Sequence, residues 1–283
     1  MTAKIWTTME LIKWGEEYFI SKNISNAKLE IEWFLCHILN CKRIDLYVQF
    51  EQPLVRNELA QFKKMVKRRI TGEPFQYILG KGNFYGRDFI VNRDVLIPRP
   101  ETEMIIELLK KQNSVESILE VGTGSGCIAS TISLENLATS IIATDISRKA
   151  LNTAIINATQ LSAKNINFKI HDFLSTGINS KFDAVISNPP YISTTEMDGL
   201  QKEVQEYDPN IALTDNGDGL SFYRRFAELG SSILNRNGFM LLEFGGRHQL
   251  DAITNIFKSQ KFNLKFHHDL QGDPRVVEVN LLT

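Results

Sequence analysis

Through residues 1–72 the apolar positions fit helices only. Met9, Leu11, Ile12, Trp14 and Phe19 stand among charged neighbours. Leu29, Ile31, Trp33, Phe34, Leu35, Ile38 and Leu39 make a denser second helix, predicted to belong to a core. Gln61–Thr71 is a third, with Phe62, Met65, Val66 and Ile70 on one face and Lys63, Lys64, Lys67, Arg68 and Arg69 around the rest. Gly72 ends it as a C-terminal cap. The basic run reads as a solvated face, with partner contact as the alternative. Residues 73–97 change character. Two aromatic-rich runs, Phe75–Gly80 and Phe84–Val91, predict a β-hairpin that links the helical region to the remainder of the chain.

From Ile97 onward the pattern alternates. Pro98-Arg99-Pro100-Glu101-Thr102-Glu103 opens a helix to about Lys111, with proline and carboxylates at its N-terminal end. Strands are predicted at 117–121, 140–145, 166–171, 182–187 and 239–244, with helices at 127–137, 147–162 and 219–234. Such alternation predicts a parallel sheet covered on both faces. After a helix near 248–259, strands at 262–270 and 276–282 are joined by only Gln271-Gly272-Asp273-Pro274-Arg275. A connection that short cannot cross over, so these two pair antiparallel. The expected architecture is α/β and Rossmann-like, with a terminal antiparallel hairpin and a small all-α N-terminal domain. The expected divisions are residues 1–72, a hairpin linker at 73–97 and a catalytic domain at 98–283.

At 283 residues, one large domain with a smaller companion is expected. With 43% hydrophobic and 23% charged residues the chain can build a sizeable core. A formal net charge of −1 argues against a dedicated nucleic-acid sleeve. Cys36, Cys41 and Cys127 lack paired metal-ligand spacing, so no metal is expected and nothing requires an oxidising compartment. The N-terminus, Met1-Thr2-Ala3-Lys4-Ile5-Trp6, shows no apolar leader. No apolar run reaches the roughly 18 to 20 residues that span a bilayer. A soluble cytoplasmic protein without membrane or direct nucleic-acid partners is expected.

Two motifs carry chemistry. Glu120-Val121-Gly122-Thr123-Gly124-Ser125-Gly126 ends a predicted strand and enters a helix, where glycines let a ligand approach the backbone. The spacing is G-x-G-x-G, with Cys127 where a dinucleotide fingerprint expects glycine. Asp145 closes the next strand and can accept both hydroxyls of a ribose; the alternative is a cap for the following helix. His171-Asp172-Phe173 ends the third strand. Phe173 can cover an adenine face and Asp172 can accept from its amino group, or Phe173 is plain core. The second motif is Asn188-Pro189-Pro190-Tyr191. Consecutive prolines cannot continue a sheet ladder, so the carbonyls around them face something else. An asparagine oxygen beside a proline carbonyl, with an aromatic ring adjacent, suits a planar NH2 group. Gly122–Gly126, Asp145, Phe173 and Asn188 fall at successive strand ends, where open α/β sheets bind ligands. One extended ligand reaching an NH2-binding pocket explains all four, and S-adenosylmethionine fits best.

The chain resembles the glutamine N5-methyltransferases that modify peptide chain release factors. The resemblance covers nearly its whole length. It includes Pro74–Ile78 with Gly80, Leu96–Glu103, Glu120–Gly126, Asp145-Ile146-Ser147 and Asn188–Ile192. It continues through Glu206–Pro209 with Ala212-Leu213, and Gly217–Leu220 with Tyr223-Arg224. The resemblance implies a helical N-terminal domain joined by a hairpin to a seven-stranded methyltransferase domain. It implies that Gly122, Thr123, Gly124, Ser125, Gly126, Asp145, Phe173 and Asn188 bind S-adenosylmethionine, with S-adenosylhomocysteine as product. Asn188, Pro189, Pro190 and Tyr191 would hold the glutamine of a release factor's Gly-Gly-Gln loop. Asn188, Pro189 and Tyr191 would act on it. The chain departs from the family in having Phe173 where tryptophan is often found, which preserves stacking, and Pro274 in its last turn. The rival readings are a glutamine methyltransferase acting on a ribosomal protein and a nucleic-acid adenine N6-methyltransferase, whose exocyclic amine is also a planar NH2. A base-modifying enzyme also carries a basic groove, which the net charge disfavours.

Overall fold

A computed structural model describes residues 5–112 and 115–281. Met1, Thr2, Ala3 and Lys4 of the N-terminal reading, and Leu282 of the last expected strand, lie outside the described residues. The chain forms two compact units that meet in sequence at Gly80 and Lys81.

The first unit holds α1 (Thr8–Ile20), α2 (Ala27–Leu39), α3 (Arg43–Val48), α4 (Arg56–Ile70) and α5 (Phe75–Leu79). Its core joins Leu11, Ile12, Phe19, Ile31, Phe34, Leu35, Phe62, Met65 and Val66. Thr7 caps α1, and Glu10 returns a bond to its backbone. The dense second helix is there, yet Leu29 and Trp33 lie on its outer face, as Ile70 does on α4. Two features depart from the expected pattern. The run Phe75–Leu79 is a helical turn rather than a strand, ended by Gly80 at φ +70°. The Arg68 guanidinium binds Glu73 through two 2.7 Å bonds and reaches the Tyr77 carbonyl at 3.3 Å, which secures that turn. Five residues are too few for periodicity to separate helix from strand. Arg68, partly exposed, is tied to Glu73, and Arg69 pairs with Glu30 at 2.6 Å, almost fully buried, so neither is a freely solvated charge. Lys63, Lys64 and Lys67 are the exposed members of the basic run.

The second unit opens with a hairpin, β1 (Lys81–Phe84) and β2 (Arg87–Ile90). Its turn, Tyr85-Gly86, has positive φ at both residues, which matches the twist of a tight hairpin. Phe84 and Phe89 enter the core of this unit. A 3-10 turn, Pro100–Thr102, leads into α6 (Glu103–Leu109). Next come β3 (Ser117–Val121), α7 (Cys127–Leu134), β4 (Ser140–Asp145), α8 (Arg148–Gln160), β5 (Ile166–Ile170) and β6 (Phe182–Ser187). Short helices α9 (Thr194–Met197), α10 (Lys202–Tyr207) and α11 (Asn210–Leu213) occupy a long connection. It returns through α12 (Ser221–Ile233), β7 (Leu234–Glu243), α13 (Leu250–Lys258), β8 (Phe262–His268) and β9 (Pro274–Leu281).

These strands form one seven-stranded sheet, in the order β5-β4-β3-β6-β7-β9-β8. All neighbours are parallel except β9, which runs against both β7 and β8. Neighbouring residues of one strand feed opposite layers. Ile118, Ile186 and Leu241 join one core cluster, whereas Leu119, Val185 and Met240 join the other. Burial on both faces is why these strands read as continuous apolar runs. Strand order reverses between β3 and its neighbours β4 and β6, and the crevice there is where such sheets bind ligands. None of the described helices is long and apolar enough to cross a membrane.

Candidate active site

Strand register brings the two motifs together. Val121 pairs with Thr144 on one side and Ser187 on the other, so Gly122 and Asn188 leave adjacent strand ends. Asp145 pairs with Ile170, and His171-Asp172-Phe173 comes directly after it. The Ser187 hydroxyl donates to the Val121 carbonyl at 2.7 Å, locking the β3 and β6 ends. Beyond these ends lies a cavity of about 210 Å³ lined by Gly122, Thr123, Gly124, Ser125, Asp145, Phe173, Asn188 and Pro190. Residues 94–99, 211–212 and 214–216 also line it, as do Thr102 and Phe222.

The glycine loop turns with positive φ at Gly122, Gly124 and Gly126. The amides of Gly122 and Thr123 both donate to the Thr144 carbonyl at 2.9 Å, which folds the loop over β4. At Gly124 no atom lies within 4 Å of where a Cβ would stand, so its backbone faces open space in the cavity wall. Gly126 differs. It does not line the cavity, and a Cβ there would meet the Ala154 Cβ at 2.8 Å. Gly126 lets α7 start against α8.

Asp145 does not cap α8. Ser147 does, accepting from the Ala150 amide at 3.2 Å. The Asp145 oxygens accept from the Gly124 amide at 2.9 Å and the Ser147 amide at 2.8 Å. Asp145 lines the cavity, and a carboxylate, with about four lone-pair sites, keeps capacity for a further donor there. Burial raises its pKa, with the amides of Ser147 and Gly124 opposing.

Phe173 belongs to the core and also borders the cavity. It is 3% exposed and packs on Phe226, with ring centroids 4.5 Å apart, yet it also lines the cavity beside Phe222. Asp172 turns toward its own loop, accepting from the Leu174 and Ser175 amides and the Ser175 hydroxyl. The Ser175 hydroxyl bond holds its carboxyl below the usual range.

In the Asn188–Tyr191 run, Asn188 and Pro190 line the cavity, whereas Pro189 and Tyr191 do not. The Asn188 side-chain NH2 donates to the Thr102 hydroxyl at 3.0 Å. The Tyr191 ring rests against the core layer containing Tyr223 and Phe244, and burial raises its hydroxyl pKa. The Tyr191 carbonyl accepts from Gln249 Nε2 at 2.8 Å. Gly219 approaches this carbonyl so closely that any Cβ would overlap it, and φ there is +76°. Asp215 holds the approach by accepting from the amides of Gly217, Gly219 and Ser221.

Three buried features were not singled out in the sequence. Glu120, 0% exposed, accepts from the Thr123 hydroxyl at 2.8 Å, and burial pushes it up to about 7. Glu243 closes β7 at 2% exposure, and burial pushes it too up to about 7. Arg99 pairs with the buried Asp208 at 2.7 Å, tying the stretch before α6 to the long connection. A carboxyl inside a run as apolar as Phe239–Phe244 was the available signal, because such a group needs a partner. Among the described residues no cluster of His, Cys, Asp and Glu could hold a metal ion.

Residues 10–80 match the family model of the PrmC N-terminal domain, and residues 100–217 match that of the methyltransferase small domain. A release factor glutamine methyltransferase of Geobacter sulfurreducens is 40% identical, covering 98% of both chains. One from Bacillus subtilis is also 40% identical, covering 96% of both. In fold, the chain is similar to a methyltransferase from Pyrococcus furiosus, with a TM-score of 0.52 at 17% identity, over 80% of this chain and 98% of that one. The chain belongs to the family of release factor glutamine methyltransferases.

Proposed function

We propose that this chain methylates the side-chain amide nitrogen of the glutamine in the Gly-Gly-Gln loop of peptide chain release factors, in support of translation termination, using S-adenosylmethionine. The observation that carries this reading is the placement of Asn188 beside the glycine loop on one cavity, with its NH2 directed at Thr102. That direction leaves Oδ1 as an acceptor for an amide hydrogen, and Pro189, next in the chain though not itself part of the cavity lining, would offer its carbonyl as the second.

The residues present fit the cofactor. The open backbone at Gly124 suits a ligand passing over it, the remaining acceptor capacity of Asp145 suits ribose hydroxyls, and the Phe173 and Phe222 rings suit an adenine face. Gly122, Thr123 and Ser125 complete the cradle. Bound S-adenosylmethionine supplies an electrophilic methyl, taken by the amide nitrogen with loss of one proton as the S–C electron pair returns to sulfur. An amide nitrogen is a poor nucleophile because its lone pair is delocalised. Asn188 and Pro189 would bind its two hydrogens and turn the lone pair toward the methyl. Pro190 and the framework behind Tyr191 would keep that wall rigid. Such positioning can supply roughly 7 to 11 kcal/mol.

Replacing Asp145 with alanine should weaken binding of S-adenosylhomocysteine by on the order of 2 kcal/mol, through loss of charge-assisted bonds to ribose. Calorimetry on the folded variant checks this, and an unchanged affinity removes Asp145 from the site.

The helical unit would hold the release factor and perform no chemistry, since every group proposed to act lies beyond it. The deciding experiment is mass spectrometry of a purified release factor after incubation with enzyme and labelled S-adenosylmethionine. A single methyl on the Gly-Gly-Gln glutamine is expected. A short Gly-Gly-Gln peptide should react at least about tenfold less efficiently, because remote contacts are absent. Charge reversal at Lys63, Lys64 and Lys67 probes the surface; Arg68 and Arg69 are unsuitable because they hold Glu73 and Glu30. A peptide that reacts as well as the intact protein ends the recognition role, and an unmodified release factor ends the proposed function.

A further inference from the structure

Helix α8 carries a polar face that the proposed methyl transfer does not use. Lys149, Thr153 and Asn157 stand four residues apart, so they share one side of the helix. They meet the end of β2 and the stretch after it in reverse order, as Asp94, Asn92 and Ile90. Lys149 Nζ pairs with Asp94 at 3.3 Å, largely in solvent. Asn92 Nδ2 donates to the Thr153 hydroxyl at 3.2 Å. Asn157 takes both backbone groups of Ile90: Oδ1 accepts from its amide at 2.7 Å, and Nδ2 donates to its carbonyl at 3.0 Å. Four residues of helix advance about 6 Å, close to the roughly 6.6 Å of two extended residues, so Asn157 and Thr153 keep step with Ile90 and Asn92.

Asn157 also reaches in a second direction. Its Nδ2 donates to the Ser125 carbonyl at 2.9 Å. Ser125 belongs to the glycine loop and lines the cavity, and one turn back along α8, Ala154 stands behind Gly126. The Asn157 side chain, 1% exposed, thus commits both hydrogens and its oxygen to two segments that lie far apart in sequence. An apolar side chain of the same size would leave the Ile90 amide and two carbonyls without these partners.

Neither Asn157 nor Ile90 lines the cavity, yet both sides of the junction lead to it. The loop is where the cofactor is proposed to lie, and the chain beyond Ile90 runs on to the wall at 94–99. We infer that Asn157 is a positioning residue that ties the glycine loop to the β1–β2 hairpin as one body. Cofactor bound at the loop then steadies Ile90, and the two walls keep their spacing. An amide that only satisfied its own burial would behave differently. Its loss would lower stability, with no bearing on whether a ligand at the loop is felt at β2.

The inference rests on the proposed cofactor site, so its test includes one measurement that needs no ligand. In the full-length wild type, nitrogen-15 NMR should show exchange of the Ile90 amide slowing at least about tenfold with saturating S-adenosylhomocysteine. Amides of β8, at the far edge of the sheet, should slow less than about twofold. In Asn157→Ala the Ile90 response should fall below about twofold. The same variant should bind S-adenosylhomocysteine about tenfold more weakly and show kcat about tenfold lower, with KM for an intact release factor within about twofold. Melting temperatures confirm that the variant is folded. Without ligand, the Gly126 amide, bonded to the Thr123 carbonyl at 2.8 Å, should exchange at least about tenfold faster in Asn157→Ala than in wild type. The inference is overturned by equal slowing at Ile90 and β8 in the wild type, a comparison that stands even where the variant fails to fold. It is overturned as well by an Asn157→Ala that keeps the Ile90 response, or whose affinity stays within about twofold of wild type. A wild type that does not bind S-adenosylhomocysteine overturns the cofactor reading instead, and the ligand-free exchange at Gly126 then decides whether Asn157 holds the loop.

Discussion

Asn188→Ala should lower turnover on an intact release factor by two to three orders of magnitude, roughly 2.7 to 4 kcal/mol of transition-state stabilisation. Affinity for S-adenosylhomocysteine should change far less. The difference comes from what the side chain is proposed to do. An acceptor that only held the substrate would raise KM and spare kcat, whereas one that turns the nitrogen lone pair toward the methyl acts in the transition state. Two side effects have to be separated. Alanine leaves the Thr102 hydroxyl without its Asn188 partner in a buried setting, at a cost to stability of about 1 to 3 kcal/mol. The neighbouring Ser187 to Val121 bond is untouched, so the ends of β3 and β6 stay joined. Single-turnover rates with saturating release factor, set beside melting curves, isolate the chemical step. If turnover stays within about threefold of wild type, the acceptor pair formed by Asn188 and Pro189 is wrong.

The parts of this site that could be read in the sequence lie where a motif coincides with a strand end. A G-x-G-x-G run after an apolar strand, an acid closing the next strand and prolines breaking a later one each signal locally, and a parallel sheet brings such ends to one edge. Parallel register then did the rest, pairing Val121 with Ser187 so that Gly122 and Asn188 leave side by side. The features that stayed hidden depend on contacts between distant segments. Asn188 meets Thr102 across 86 residues, and Arg99 meets Asp208 across 109. No spacing rule links such positions, and each residue alone reads as an ordinary helix-start or loop polar group. Gly126 shows the converse: its place in a glycine motif suggested ligand contact, while its neighbour in space is Ala154. In the N-terminal unit, Phe75–Leu79 was misread because a short aromatic run carries too little periodicity. The Arg68 guanidinium that secures that turn lies on another helix, among residues whose charge suggested a solvated face.

Replacing Glu120 with glutamine should change how stability depends on pH. This carboxyl is fully buried beneath the glycine loop, with Oε2 bound by the Thr123 hydroxyl and Oε1 without a partner among the described residues. Burial is the main cause of its rise to about 7 from an ordinary value of 4.5; the Thr123 bond opposes the rise, and repulsion from Asp145 adds to it. Because its pKa is higher in the folded state than in the unfolded chain, the folded protein binds more protons across that window. Its contribution is therefore complete below about pH 4.5 and is lost as pH rises through about 7. Glutamine cannot ionise. Relative to the variant, the wild type should lose up to roughly 3 kcal/mol of stability between about pH 4.5 and 8.5. The comparison isolates Glu120, since the similarly raised Glu243 titrates in both proteins and cancels. Denaturant unfolding at a series of pH values measures the gap directly. A gap that stays constant across this range would show that Glu120 does not titrate as a buried, half-satisfied carboxyl.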